Sequence, residues 1–292
     1  MALRLRLSYT RGMATIVIPA HDEAEVIGRT LKSITPEGWR EVYEIIVACN
    51  GCTDATAQIA RSFVGVNVLE TEVGSKIVAL NMADEAASGF PRIYLDADIE
   101  TSLRAIRRVI EVLESGEADV AAPAAVLDTS ACSFLARRYY ETWSKTGYFK
   151  NAIGSGFLGM SEAGRRRFEA WPNIIPDDEY ARLVVPPHRR RVVRDVSFVI
   201  RPPTEIRSAI HTRARHYLGN YQLQESYPEI WRTKEPASSL LQSVAAEPSM
   251  LPWLGLYLGV GVASRLQARA KLKSGALAWY KDQTARQGST GS

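Results

Sequence analysis

The chain has 292 residues, of which 46% are hydrophobic and 23% charged, and its formal net charge is +4. This composition is typical of a globular protein with ample material for a core, organised as one large domain or as one domain with an extension. So small a net charge gives no support for a nucleic-acid partner, and we expect none. The three cysteines suit a reducing cytoplasm. Cys49 and Cys52 lack the second Cys or His pair of a zinc site, so we interpret them as small residues beside a turn.

Residues 1–13 alternate Leu and Arg, without the long apolar core or cleavage pattern of a signal peptide, so we expect a leader or a short edge strand. Apolar runs then predict strands at 14–18, 43–48, 66–70, 92–95 and 118–126. Helical spacing of apolar residues predicts helices between them, the second of which begins near Thr53 or Asp54. Strand and helix therefore alternate, which predicts an α/β fold with a parallel sheet covered by helices on both faces.

Polar residues follow the predicted strands directly. In open parallel sheets, ligands bind beyond the carboxyl ends of the strands, here just after Ile18, Ala48 and Leu95. The residues found there are His21, Asp22, Glu23, Asn50, Thr53, Asp54, Asp96 and Asp98. The sequence thus predicts a ligand site at this edge of the sheet.

Asp96 and Asp98 are two carboxylates two residues apart at a strand end. In that position both can reach one hard cation, Mg²⁺ or Mn²⁺, that keeps open positions for phosphate oxygens. The alternative is that they are solvated or cap the following helix, as acidic residues in loops often do.

Two further residues are candidates for chemistry. Asp178, in the segment PDDEY, is suited to take a proton from an attacking hydroxyl; the alternative is an acidic cap for the helix DEYARLVV. Lys76 follows Gly74 and Ser75 at a helix start, where it is suited to pair with a diphosphate; the alternative is a solvated surface lysine.

The C-terminal part is less regular. Residues 251–264 are apolar but too short to span a membrane, and Pro252 and three glycines weaken a helix there. Basic residues follow at Arg265, Arg269, Lys271 and Lys273, a pattern that fits contact with a membrane surface. The alternatives are a segment packed on the domain or one buried in a homodimer.

The chain resembles the family-2 glycosyltransferases, which have the GT-A fold. The resemblance rests on TIVIPAHDEAEVIGRTLKSI, EIIVACNGCTDATAQIA, GSKIVALNMA, IYLDADI and, later, IIPDDEYARL, over about residues 14–183. It implies a Rossmann-type, mostly parallel sheet and an enzyme that moves a sugar from a nucleoside diphosphate to an acceptor. We expect a UDP-sugar donor, an acceptor hydroxyl that is unidentified and could be lipid-linked, and Mn²⁺ or Mg²⁺ as cofactor.

The resemblance also implies roles for individual residues. Nucleotide binding falls to Pro19, Ala20, Glu23, Asn50, Lys76 and Asp96. The metal falls to Asp96 and Asp98, and the catalytic base of an inverting reaction is Asp178. The sugar or acceptor is contacted by Gly154, Ser155, Gly156 and Asp177.

The chain departs from the family pattern in three places. His21-Asp22 replaces an aromatic-Asn pair, and Asn50 replaces an Asp, which weakens the expectation of uracil as the base. The QxxRW motif of processive synthases is missing, so we expect one sugar per encounter. A basic segment stands in its place, and its Arg213, Arg215 and His216 are candidates for binding the diphosphate or an acceptor phosphate. The alternative is a basic helix face.

The predicted organisation is a leader at 1–13, a GT-A domain at 14–220, a helical extension at 221–284 that is a candidate for membrane association, and a flexible tail at 285–292. The domain divides into a nucleotide-binding half at 14–126 and an acceptor-binding half at 127–220. We expect a cytoplasmic enzyme, at the inner face of the membrane if the extension contacts lipid. Two other functions fit an α/β sheet with acidic residues: a sugar nucleotidyltransferase, which normally has a glycine-rich loop after its first strand, and a nucleotide-sugar binder without activity.

Overall fold

A computed structural model describes residues 13–235 and 240–274. The predicted tail at 285–292, and all of the predicted leader except Met13, lie outside the described residues. The strands are β1 (Ala14–Ala20), β2 (Tyr43–Asn50), β3 (Val66–Thr71), β4 (Arg92–Leu95), β5 (Val120–Leu127), β6 (Phe157–Met160) and β7 (Arg190–Ile200). The five predicted strands are present, each within two residues of its predicted ends.

These strands form one sheet in the order β3-β2-β1-β4-β6-β5-β7. All neighbouring pairs are parallel except those of β6, which runs antiparallel to both β4 and β5. The α/β fold with a mostly parallel sheet is therefore confirmed. Because β1, β2 and β4 are adjacent and parallel, their carboxyl ends meet at one edge of the sheet.

The first four helices follow the predicted pattern. They are α1 (Ile27–Ile34), α2 (Thr56–Arg61), α3 (Lys76–Ala86) and α4 (Leu103–Glu114). The hydroxyl of Ser75 accepts from the backbone N–H of Val78 and so caps α3. The second helix begins slightly later than predicted, because the carboxylate of Asp54 accepts from the backbone N–H of Thr56 at 2.9 Å.

The second half of the chain is mainly helical. Its helices are α5 (Phe134–Ser144), α6 (Gly147–Lys150), α7 (Glu162–Arg165), α8 (Asp177–Leu183), α9 (Ile206–Ser226), α10 (Pro228–Trp231), α11 (Leu240–Ala246) and α12 (Leu254–Ser274). The domain boundary predicted at 220 falls inside α9. The glycines after Pro252 do not interrupt the helix, because α12 begins at Leu254 and continues through them.

The hydrophobic core lies between the sheet and its helices. All of β1 is buried, as is most of β2, which explains why both strands are continuous apolar runs rather than alternating ones. A second, smaller cluster joins α5, α9 and α12 and includes Tyr139, Ala209 and Val260. Within the described residues, no helix is both long enough and apolar enough to cross a membrane.

Arg213 of α9 lies in the middle of this second cluster. Its guanidinium donates to the hydroxyl of Tyr139 at 2.7 Å, and to those of Tyr217 and Tyr257 at 3.3 and 3.4 Å. It also stands over the ring of Tyr257, with 4.9 Å between its Cζ and the ring centroid. Hydrogen bonds and cation–π attraction therefore hold α5, α9 and α12 together through one side chain.

We expect Arg213→Met to lower the free energy of unfolding by about 1–3 kcal/mol, because it leaves the buried hydroxyl of Tyr139 without its donor. Urea denaturation followed by circular dichroism measures this. The matched control is Arg207→Met, an exposed arginine of the same helix, which should change stability by no more than about 0.5 kcal/mol. Equal stability of the two variants would show that the cluster does not depend on Arg213.

Candidate functional site

The ends of β1 and β2 are tied together by polar side chains. Asn50 is 3% exposed and donates from its amide to the carbonyl of Ala20 at 2.9 Å. His21 Nδ1 lies 2.5 Å from the carbonyl oxygen of Asn50. Asp22, at a positive φ of 49°, accepts from the backbone N–H of Thr53 at 2.7 Å. The structure therefore gives Asn50 and Asp22 bonds that fix the loops, while contact of Asn50 with a base stays a prediction.

A cavity opens beside the ends of β1 and β4. Its lining consists of Pro19, Lys76, Leu80, Tyr94, Leu95, Asp96, Gly154, Gly156, Phe157, Leu158, Trp171, Asp177 and Asp178. Seven of the residues selected from the sequence are among them. They come from five separate stretches of chain, which only the folded sheet brings together.

Lys76 is the central cation of this cavity. Its Nζ is 3.0 Å from Oδ1 of Asp96 and 3.0 Å from Oδ2 of Asp177. Burial lowers the pKa of Lys76, but the negative charges of Asp177, Asp96 and Asp178 outweigh it and raise the pKa above its usual value. The interpretation of Lys76 as a solvated surface lysine was therefore wrong.

Asp178 lies next to this ion pair at the start of α8. Burial and the neighbouring charge of Asp177 raise its pKa to about 8, although Lys76 acts in the opposite direction. Its Oδ1 accepts from the backbone N–H of Glu179 at 2.8 Å, within the first turn of α8. The N-cap of this helix is Pro176, which makes no side-chain capping bond, so Asp178 does not occupy the N-cap position.

Two glycines lie against the carboxylates. Gly154 and Gly156 each have a φ of 94°, a conformation that L side chains rarely adopt. A Cβ on Gly154 would lie 3.2 Å from Cβ of Asp178, and one on Gly156 would lie 2.7 Å from Cδ1 of Ile99. The carbonyl of Gly156 accepts from the backbone N–H of Asp96 at 2.9 Å. Glycine here leaves room beside Asp178, and Ser155 is half-buried between the two glycines.

Asp96 lines the cavity, whereas Asp98 does not. Asp98 is half-buried. Its negative charge acts on Arg29 of α1, whose pKa is lowered by burial and raised in part by Asp98. Arg29 in turn pairs with Glu100 at 2.5 Å. Joint binding of one cation by the two aspartates stays a prediction.

The basic segment of α9 does not form part of the cavity lining. Arg213 is held by the tyrosines of the second cluster, so the hypothesis that it contacts the diphosphate does not fit its surroundings. Arg215 and His216 are exposed. Neither residue lines the cavity, so contact of Arg215 or His216 with a diphosphate or an acceptor phosphate stays a prediction.

The main feature that sequence reasoning missed is a buried carboxylate behind the cavity. Asp84 of α3 accepts hydrogen bonds from Arg92 Nη1, Tyr94 Oη and Arg165 Nε, each at 2.7 Å, and from Trp171 Nε1 at 2.8 Å. Its side chain is 6% exposed. Nothing in the segment NMADEAA distinguishes Asp84 from a surface acid, although Trp171-Pro172 just before IIPDD marks an anchored loop.

This network fixes the segment that leads to Asp177. Tyr94 and Trp171 both line the cavity and both donate to Asp84. Asn81, one turn before Asp84 on α3, accepts from the backbone N–H of Trp171 at 2.8 Å. Because Lys76 begins the same helix, α3 positions both the cation and the loop that carries its carboxylate partner.

The charges of the cavity fit a divalent cation. Asp96, Asp177 and Asp178 supply three carboxylates against the single ammonium of Lys76, and the side chain of Asp96 is 43% exposed. Carboxylate oxygens are the ligands that Mg²⁺ and Mn²⁺ prefer. A second acidic group, Asp22, Cys52 and Asp54, places its ligand atoms within 4.8 Å of one another, but both of its carboxylates already accept bonds that fix the loop.

We expect Asp84→Asn to destabilise the protein by about 3–5 kcal/mol, because the substitution leaves buried arginines without their counter-charge. Chemical denaturation measures this. Asp195→Asn, which removes the exposed partner of Arg108, is the matched control and should leave the unfolding midpoint nearly unchanged. If both variants unfold like the parent chain, Asp84 does not hold the cavity together.

Among curated proteins, two glycosyltransferases of Haloferax volcanii are similar to this chain. AglD is 27% identical over 183 residues, which are 57% of this chain and 29% of AglD. AglE is 27% identical over 120 residues, which are 39% of this chain and 40% of AglE. The chain thus spans less than half the length of either relative.

Among solved structures, the mannosyltransferase PcManGT from Pyrobaculum calidifontis, in complex with GDP-Man and Mn²⁺, superposes with a TM-score of 0.59. The identity is 18%, over 93% of this chain and 77% of that one. Residues 1–349 of TarS from S. aureus superpose with a TM-score of 0.50 and 14% identity, over 88% of this chain and 82% of that one. These structures share the fold of this protein.

Residues 15–169, more than half of the chain, match the model of Glycosyl transferase family 2. The ordered motifs named above lie in this region, with the exception of IIPDDEYARL, which follows it. The chain therefore belongs to glycosyl transferase family 2.

Proposed function

We propose that this protein is a glycosyltransferase that moves a sugar from a nucleoside diphosphate to an acceptor hydroxyl, one sugar per encounter, and inverts the configuration of the transferred sugar. A role in polysaccharide, glycolipid or other glycoconjugate biosynthesis fits such a reaction. The observation that supports the proposal is a single cavity in which Lys76, Asp96, Asp177 and Asp178 meet beside a glycine loop. It offers one cation for a diphosphate and one partly protonated carboxylate for a hydroxyl.

The donor end of the cavity is the amino terminus of α3. Lys76 is the first residue of this helix, whose unpaired backbone N–H groups and dipole favour an anion. When a diphosphate binds, the Lys76 ammonium can exchange a carboxylate partner for a phosphate oxygen without leaving its place. Pro19, at the end of β1, forms the wall beside it.

The acidic groups are suited to hold Mn²⁺ or Mg²⁺ through Asp96. A divalent cation bound there would supply the positive charge that a departing diphosphate needs. Around it, Lys76 keeps the carboxylates of Asp96 and Asp177 oriented, and the wall of Tyr94, Phe157 and Trp171 excludes water. Attraction between the cation and the diphosphate would be weak in water and stronger in this partly buried site.

Asp178 is the base in this proposal. Its raised pKa makes it a stronger base, because a carboxylate with a higher pKa accepts a proton more readily, and the deprotonated fraction grows as the pH rises towards 8. It takes the proton of the acceptor hydroxyl as the oxygen attacks. Gly154 contributes by leaving space beside Asp178, so that the acceptor can approach the carboxylate closely.

The donor is tested by incubating the full chain with UDP-sugars and GDP-sugars, with Mn²⁺ or with a chelator. GDP-sugars are included because the structure of PcManGT was solved with GDP-Man and Mn²⁺. We expect one donor to raise the melting temperature with Mn²⁺ and to be hydrolysed slowly to the nucleoside diphosphate. A donor present at 100 times its Kd should raise the free energy of unfolding by about 2.7 kcal/mol. Equal turnover in the presence of chelator would contradict the use of a metal.

Asp178→Asn is expected to lower transfer by about 10²–10⁴-fold, because the amide cannot accept the proton, while the affinity for donor stays within a few-fold. Product formation with the identified donor and calorimetric titration of the nucleoside diphosphate measure the two effects. Asp195→Asn, far from the cavity lining, serves as the control. Full activity of Asp178→Asn would exclude Asp178 as the base.

The pKa of Asp178 also predicts two opposite pH effects. Transfer should rise as the pH passes through about 8, because the base must lose its proton. The folded-state pKa lies above the ordinary value of 3.8, so this carboxyl makes the protein less stable as pH rises from about 4 to about 8. Urea unfolding at pH 4 and pH 8 should therefore show that the free energy of unfolding of Asp178→Asn, relative to that of the parent chain, is higher at pH 8. A constant difference would contradict the raised pKa.

A further inference from the structure

Helix α12 presents one face to the protein and another to solvent. Its buried residues are Val260, Gly261, Ser264 and Ala268, which lie against α9 and α5. Three of them are small, so the helices approach closely, and a Cβ on Gly261 would lie 3.8 Å from Nη2 of Arg213. The inner face is therefore fully used by contacts within the chain.

The outer face of α12 carries an apolar stripe. Leu258, Val262 and Leu266 are 48%, 55% and 61% exposed. A spacing of four residues places them in one row, about 12 Å long. Leu251, just before the helix, is 57% exposed and extends the apolar surface. Phe134 of α5 is 60% exposed and packs edge-on against Trp253 at 5.6 Å between centroids.

Such a stripe is unusual for a helix at the surface. A helix that is apolar on both faces is normally buried on both, and a contiguous exposed apolar patch marks an interaction site. The first half of α12 has apolar residues on both faces, and among residues 13–235 and 240–274 only its inner face is covered. The stripe therefore indicates that another apolar phase covers it when the protein functions.

The charges next to the stripe identify that phase. Arg269 and Lys273 are exposed and lie on the same side of the helix as the stripe, one turn apart. Residues 254–274 contain no Asp or Glu. An apolar row followed by cations on the same side of one helix complements an anionic lipid surface.

A second copy of the chain is a poorer partner for this face. Pairing two α12 helices would bring together two sets of cations on helices without a single acidic residue to neutralise them. We propose that α12 lies in the plane of a membrane that contains anionic lipids, with Leu258, Val262 and Leu266 inserted among the acyl chains. This proposal is independent of the donor and of the reaction assigned above.

The proposal is tested by co-sedimentation of the full chain with vesicles of phosphatidylcholine, either alone or mixed equally with phosphatidylglycerol. We expect binding to the mixed vesicles, at least tenfold weaker binding to the neutral ones, and weakening by added salt. The double variant Leu258→Glu, Val262→Glu should lose binding at least tenfold. The matched control is Val64→Glu, at a site 75% exposed and remote in sequence from α12, which should bind like the parent chain.

The charge is tested separately. Arg269→Glu with Lys273→Glu should weaken binding to mixed vesicles about tenfold or more and leave binding to neutral vesicles unchanged. Circular dichroism and melting temperature establish that the variants are folded. Equal binding to both vesicles, or no binding by the parent chain, would overturn the proposal. So would light scattering that shows a dimer of the parent chain dissociated by Leu258→Glu, Val262→Glu.

Discussion

The ammonium of Lys76 joins parts of the chain that are far apart in sequence. It lies 3.0 Å from a carboxylate oxygen of Asp96 at the end of β4 and 3.0 Å from one of Asp177 at the start of α8. Without it, three carboxylates would share one partly dry cavity, and repulsion between them would favour moving α8 away from the sheet. The ion pairs thus join β4 and α8 to α3, while the carboxylates beside the cavity outnumber the single ammonium. That excess of negative charge is the basis for proposing a divalent cation at this site.

The same helix that carries Lys76 also supports the cavity from behind. Asp84, two turns further along α3, accepts four hydrogen bonds from Arg92, Tyr94, Arg165 and Trp171. A carboxylate this deeply buried is tolerated only when it is fully hydrogen-bonded and paired. Tyr94 and Trp171 are thus fixed in the wall of the cavity. Only Lys76 and its carboxylate partners would need to exchange contacts when a substrate binds. A site held in this way needs little reorganisation when a substrate arrives.

The helices α5, α9 and α12 of the second half pack around one arginine. Arg213, which a sequence pattern suggests as a phosphate ligand, instead joins α5, α9 and α12 through three tyrosine hydroxyls. This contact fixes the inner face of α12 and thereby leaves its apolar outer face exposed. The cavity and the stripe lie on elements that meet at α9, so the proposed chemistry and the proposed lipid contact belong to one folded unit.

The sequence by itself determined β1 to β5 and the edge of the sheet at which the site lies, because buried parallel strands are continuous apolar runs whose polar ends converge. The residue pattern selected Lys76, Asp96 and Asp178, the family resemblance added Pro19 and Gly154, and all five line the cavity. The sequence did not predict β6 and β7, nor that β6 runs antiparallel to its neighbours. Only the tertiary structure decided that Asp98 lies near Arg29 and that Asp84 is buried. It also decided that the apolar segment from Leu254 onwards, with its three glycines, is part of α12. These outcomes depend on which side chain faces which neighbour across the fold. Local sequence pattern carries propensity and spacing, but burial and pairing are set by residues distant in the chain.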